Sequence, residues 1–235
     1  MIGPSRGDRM PDATSPVAEP GGKQLIRDLP VRLAHWGLVA SVSGSFASHY
    51  VGASAFAWHV RFGYATLCLV AFRIAWGFFG SRYARFQSWL RAPVATGAGD
   101  ARAALTPLGG WMALALLALL RGPAVSGLFA NDEMRDAGPL SGWAGRGLSN
   151  ALSSCHGVLS SVLIGALALH LGAALFYLFV REDDRITPLV TGYRRGLAPL
   201  SAIDGEHRLK ALAVLVLIAL ALALVVALAP APLEL

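Results

Sequence analysis

The chain has 235 residues, 55% of them hydrophobic and 14% charged, and a mean hydropathy of +0.54. These values exclude an ordinary soluble domain and point to an integral membrane protein. The net charge of +6 implies no nucleic-acid partner, because basic residues in a membrane chain set topology.

In chain order, residues Met1–Gly22 are rich in Pro, Gly, Ser and charge and lack an apolar core. They read as a disordered cytoplasmic tail rather than a signal peptide, and residues 1–28 are taken as the tail region. Five segments are long and apolar enough to span: Val31–Val51, Phe56–Phe79, Leu108–Phe129, Cys155–Val180 and Ala211–Ala229. The runs are too long, and alternate too little, for strands. The last is almost pure Ala, Leu and Val, carries no His, and is expected at the periphery, facing lipid or a partner subunit.

The basic residues decide the orientation. Arg6, Arg9, Lys23, Arg27 and Arg32 precede or open the first span. Arg82, Arg85, Arg91 and Arg102 follow the second. Arg181, Arg185, Arg194, Arg195, Arg208 and Lys210 follow the fourth, so fifteen of twenty fall on one side. The positive-inside rule puts the amino terminus in the cytoplasm and the carboxyl terminus outside. Ser81–Thr106, with Trp89 and scattered Arg, is expected along the cytoplasmic interface. Asn131–Asn150, holding Asp132, Glu133 and Asp136, is the largest outward loop and the candidate docking surface for an external partner, against the alternative of a solvated connector.

Six histidines remain to be explained. His156 and His170 lie on one span fourteen residues apart, close to four helical turns, so they share a face and stand about 21 Å apart. Histidines inside a membrane helix are costly and usually mark function. Two on one face at different depths suggest two metal centres, and haem iron takes imidazole as an axial ligand. Depth pairs His59 with His156 near the external surface and His35 with His170 toward the cytoplasm, each pair clamping one haem between helices of a bundle. His49, fourteen residues after His35, leaves open an arrangement in which it replaces His59. His207, among Asp204, Glu206 and Arg208, reads as solvated. No C-x-x-C-H occurs, because Leu152-Ser153-Ser154-Cys155-His156 lacks the first cysteine, so covalent attachment is not supported. Cys68 and Cys155 fall at different depths, which argues against a disulfide.

On the second span His59, Gly63, Thr66, Val70, Arg73 and Gly77 follow a three-four spacing and define one face. Its small residues would leave room for a flat macrocycle, and Arg73 needs an anion that a haem propionate would supply. Arg61 would serve the external haem in the same way. Arg121 either contacts a propionate or snorkels outward.

The sequence resembles the bacterial di-haem cytochrome b-561 family, which includes the b-type cytochrome subunit of nickel–iron hydrogenases. The matching stretches are Leu29-Pro30-Val31-Arg32-Leu33-Ala34-His35-Trp36, His59-Val60-Arg61-Phe62-Gly63-Tyr64, and Phe72-Arg73-Ile74-Ala75-Trp76-Gly77. Further on come Ser126-Gly127-Leu128-Phe129, His156 to His170, and Val190-Thr191-Gly192-Tyr193-Arg194, so that about residues 28–195 are covered. The resemblance implies an all-α protein of the bacterial inner membrane: a four-helix bundle over residues 29–195 holding two non-covalent, bis-histidine haem b groups, then a linker and peripheral fifth helix over 196–235. It implies His35 and His170 at the cytoplasmic haem, and His59 rather than His49 with His156 at the external one. It also implies electron transfer between a periplasmic redox partner, a hydrogenase-like enzyme or cytochrome c, and the quinone pool.

A quinone would need a polar pocket at a membrane edge, for which Arg32, Trp36, Arg73 and Tyr193 are the cytoplasmic-side candidates. Two other classes are weighed against electron transfer. A transporter or proton relay would usually show acidic residues within the spans, where none occurs. A structural membrane anchor would need neither paired histidines nor Arg73.

Overall fold

The computed structural model describes residues 23–25, 27–81, 84–87, 107–131, 137–195 and 206–231. Residues 1–22, most of Ser81–Thr106, the acidic Asp132, Glu133 and Asp136, and most of the linker before the last helix lie outside them.

The architecture is helical: α1 (Leu29–Val51), α2 (Phe56–Phe79), α3 (Pro107–Phe129), α4 (Ser141–Phe179), the short α5 (Thr187–Thr191) and α6 (Glu206–Ala227). A single 3-10 turn, Ala53–Ala55, joins α1 to α2. Two three-residue strands, Lys23–Leu25 and Tyr193–Arg195, pair antiparallel with Lys23 opposite Arg195. The strand Lys23–Leu25 falls inside the segment expected as tail.

Among the described residues, four helices are long and apolar enough to cross a membrane: Ala53–Phe79, Leu108–Phe129, Ser141–Phe179 and His207–Ala227. α1 has the length, at 23 residues, and is the most polar of the long helices. Arg32, His35, Ser41, Ser43, Ser45, Ser48 and His49 dilute its apolar content. Its start is set by Asp28, the N-cap, whose Oδ1 accepts from the Val31 N–H at 3.1 Å, with Pro30 in the first turn.

α1 packs along α2, α2 packs on α3, and α3 on α4. α6 lies against α2 and α1, where Ala211 joins Val31, Ala34, Phe72, Trp76 and Ala84 in a buried cluster. Val214, Leu215 and Ile218 of α6 pack partly buried against this cluster, while Leu209, Leu217 and Leu220 are more than 60% accessible. A second cluster, Val70, Leu120 and Leu163, ties α2, α3 and α4 together at mid-height.

α4 is longer than the sequence suggests. The span was expected to start at Cys155, but the helix begins at Ser141 and absorbs half of the expected outward loop. The Ser- and Gly-rich stretch 141–154 is helical because its hydroxyls clamp the end of α3. Ser149 Oγ donates to the Phe129 carbonyl, and Ser153 Oγ donates to the Asn131 carbonyl at 2.6 Å. Gly145, at φ 70° and ψ 163°, kinks the helix in a conformation that glycine adopts without strain. At about 1.5 Å per residue, the element remains far longer than a bilayer core of about 30 Å even beyond this kink, so part of it extends past the apolar layer.

Candidate functional site

The helices enclose a cavity of about 740 Å³ toward the C-terminal end of α1, lined by all four of α1 to α4. The histidine rings concentrate there. His59 on α2 and His156 on α4 face one another with centroids 6.1 Å apart and planes at 77°. A ligating nitrogen sits about 2 Å from a first-row metal and about 1 Å from its own ring centre, so two imidazoles on one ion bring their centroids to about 6 Å.

Both rings are oriented by a neighbouring helix. His59 Nδ1 lies 2.9 Å from the Ser45 carbonyl on α1, and His156 Nδ1 lies 2.9 Å from the Pro123 carbonyl on α3. A carbonyl only accepts, so in each ring Nδ1 carries the proton and Nε2 keeps its lone pair. Metal-ligating histidines are held in this way by a donated ring N–H. The close approach of His156 to α3 depends on Gly127, where a Cβ would lie 2.9 Å from His156 Cε1. Gly63 on α2 lines the cavity with open space before it, whereas Gly77, expected on the same cofactor-facing surface, is covered by the Phe86 ring.

His49 also lines the cavity, 6.1 Å from His59. It is exposed, where His59 and His156 are half-buried. Among the described residues, no Arg, Lys, Asp or Glu lines this cavity. Arg61 is exposed and lies over the Trp58 ring at 4.8 Å; Arg121 is exposed on α3.

The other end is built around Asp28, which sequence reasoning missed as a site residue. Its Oδ2 accepts from Trp76 Nε1 at 3.0 Å and from Ser81 Oγ at 2.7 Å, while Oδ1 caps α1. The buried Arg73 lies in its field together with Arg27. Asp28 is thus an anion that Arg73 was expected to find in a propionate. The available signal was the Asp28-Leu29-Pro30 start of a helix. Burial pushes the Arg27 guanidinium below its ordinary pKa, and Asp28 opposes the shift. His35 stands within electrostatic range of His170, Arg27 and Arg73. Its Nδ1 is buried without a hydrogen-bond partner among the described residues.

Two of the quinone-site candidates are engaged elsewhere. Arg32 donates through its guanidinium to the Val190 carbonyl, and Trp36 Nε1 donates to the Leu189 carbonyl at 3.1 Å, so both tie α1 to α5. His207 is half-buried at the start of α6.

The donor set fits a b-type haem. Two imidazole rings face each other across a cavity of cofactor size with centroids 6.1 Å apart, and Gly63 leaves its part of the wall open. No group of three or more His, Cys, Asp or Glu that could hold a metal alone occurs among the described residues.

No curated protein and no solved structure matches the chain at a significant level. A family model described as prokaryotic cytochrome b561 matches residues 26–192. That match covers well over half of the chain, which therefore belongs to the prokaryotic cytochrome b561 family, membrane proteins that bind haem b and move electrons across the bilayer.

Proposed function

We propose that this chain carries electrons across a bacterial inner membrane, between a periplasmic redox partner and the quinone pool, using two non-covalent haem b groups. His59 and His156 would hold one and His35 and His170 the other. The observation that carries the proposal is the pair of rings 6.1 Å apart, each with Nδ1 on a backbone carbonyl. When bound, haem would supply a one-electron couple, and two histidines held by the protein at each group would favour electron transfer over chemistry on a substrate.

The protein's part is positional. Helices α2 and α4 hold imidazoles across the cavity, α1 and α3 fix their orientation, and the apolar clusters keep water from the path between the two ends. The most polar long helix, α1, crosses the membrane as well, because Ser41 and Ser48 are buried, His35 and Ser45 are half-buried, and Ser45, Ser48 and His49 line the cavity. That gives five crossings, with the amino terminus cytoplasmic and the carboxyl terminus periplasmic. The quinone edge lies at the His35 end, where Trp36 and Tyr193 are 44% and 47% exposed. The periplasmic partner docks at the His59 end, and hydrogenase-like enzymes and cytochrome c are the candidate classes.

The test is direct. Protein purified with ample haem supply should give a reduced haem b spectrum and about two haems per chain on pyridine extraction, as a bis-histidine pair at each end requires. His156→Ala should remove about half of that haem. Colourless protein, or an unchanged spectrum in the variant, would overturn the assignment.

A further inference from the structure

Arg27 lies just before α1, in a stretch whose composition reads as a tail and whose charge reads as a topology signal. The fold gives it a fixed place. The strand Lys23–Leu25 pairs with Tyr193–Arg195, and two residues further on the Arg27 N–H donates to the Gly192 carbonyl at 3.2 Å. Gly192 turns at φ 89°, which glycine adopts without strain. A Cβ there would lie 3.0 Å from the Arg27 carbonyl. Asp28, the next residue, caps α1. The Arg27 backbone is therefore held on both sides.

Its side chain is directed into the bundle end. Arg27 acts on His35 and on Arg73, and His170 acts on the same His35 ring. The Arg27 Nε is buried and has no hydrogen-bond partner among the described residues. A buried cationic donor left unpaired is costly. Asp28 acts on Arg27 through its field, but its oxygens accept from the Val31 N–H, Trp76 Nε1 and Ser81 Oγ. Arg185, also in range, is paired with Asp183 at 2.9 Å. Arg73 is engaged as well. Arg27 is thus the guanidinium at this end with a buried N–H to offer, and a guanidinium fork suits a carboxylate or a phosphate.

We propose that Arg27 anchors the haem held by His35 and His170 by donating to one of its propionate carboxylates. This rests on the di-haem reading above. A phospholipid phosphate is the other anion that a guanidinium takes at a membrane surface; the burial of Nε beside His35 favours the carboxylate carried by the cofactor itself.

The experiment uses the purified holoprotein carrying haem isotopically labelled at its propionate carboxyls. Oxidised-minus-reduced infrared spectra then identify the propionate bands. Arg27→Gln should shift one of them. In transfer to apomyoglobin, one of the two haems should leave that variant about tenfold faster or more, as loss of a charge-assisted hydrogen bond requires, while the other keeps its rate. Arg27→Lys keeps the charge but lacks the planar fork. It should retain both haems and still shift the same band, so the test stands even where the Gln variant fails to assemble. Arg185→Gln removes a neighbouring positive charge and should shift neither band.

Propionate bands unchanged in both Arg27 variants would overturn the proposal. So would an equal shift in Arg185→Gln, which marks a diffuse field in place of a bond. Loss of copurified anionic phospholipid from Arg27→Gln with the propionate bands unmoved would assign Arg27 to lipid and overturn it too. Those outcomes leave the di-haem reading standing. Protein that binds no haem would overturn that reading itself, and the proposal with it.

Discussion

Asp28 shows how much one side chain can organise. It caps α1, accepts from Trp76 near the end of α2 and from Ser81 just beyond it, and stands in the field of Arg73. Asp28→Ala removes the cap, worth about 1 kcal/mol, and strands two buried donors at about 1–3 kcal/mol each. The expected loss is about 2–4 kcal/mol, since a water molecule can partly satisfy the Ser81 hydroxyl; thermal denaturation followed through the haem band should show it, and an unchanged midpoint would refute the role. Gly63 makes the opposite case, because nothing lies within 4 Å of a Cβ added there. Gly63→Leu should therefore fold normally but fill the cavity, lowering haem content from about two to about one per chain. Retention of both haems in that variant would mean that the cavity wall at Gly63 is not a cofactor surface.

Among the elements, α6 and α4 carry the contrast between expectation and outcome. A helix of Ala, Leu and Val with no histidine was expected at the periphery, and α6 sits on the outer side of α1 and α2 with no residue lining the cavity. Deleting the chain after Lys210 should leave haem content near wild type while lowering thermal stability, because Ala211, Val214, Leu215 and Ile218 no longer cover Phe72 and Trp76. Haem loss in the truncated protein would make α6 part of the cofactor core. α4 was legible only over its apolar part. The stretch 141–154 has the composition of a loop, and it is helical because Ser149 and Ser153 find acceptors at the end of α3, contacts that no local propensity encodes.

Across the whole molecule, the count of crossings separates two topologies. Five crossings put the termini on opposite sides of the membrane, and four put them on the same side. Alkaline phosphatase, active only outside the cytoplasm, should be active when fused after Pro230 and inactive when fused before Lys23. Equal activity at both ends would remove α1 from the set of crossing helices.

The amino-acid sequence by itself determined the membrane class, the apolar helices and their approximate limits, because hydropathy and helical length are local and additive. Spacing alone put His156 and His170 on one face. The family was readable from short motifs spread over most of the chain, and the family match over residues 26–192 bears it out. Only the tertiary structure decided which groups orient the His59 and His156 rings. The Ser45 and Pro123 carbonyls are backbone groups and leave no mark in the identity of a side chain. The role of Asp28 joins residues about fifty positions apart. Gly77 and Gly63 look alike in sequence, yet one is covered by Phe86 and the other faces the cavity. Such differences come from the packing of helices against one another, which periodicity along a single helix does not contain.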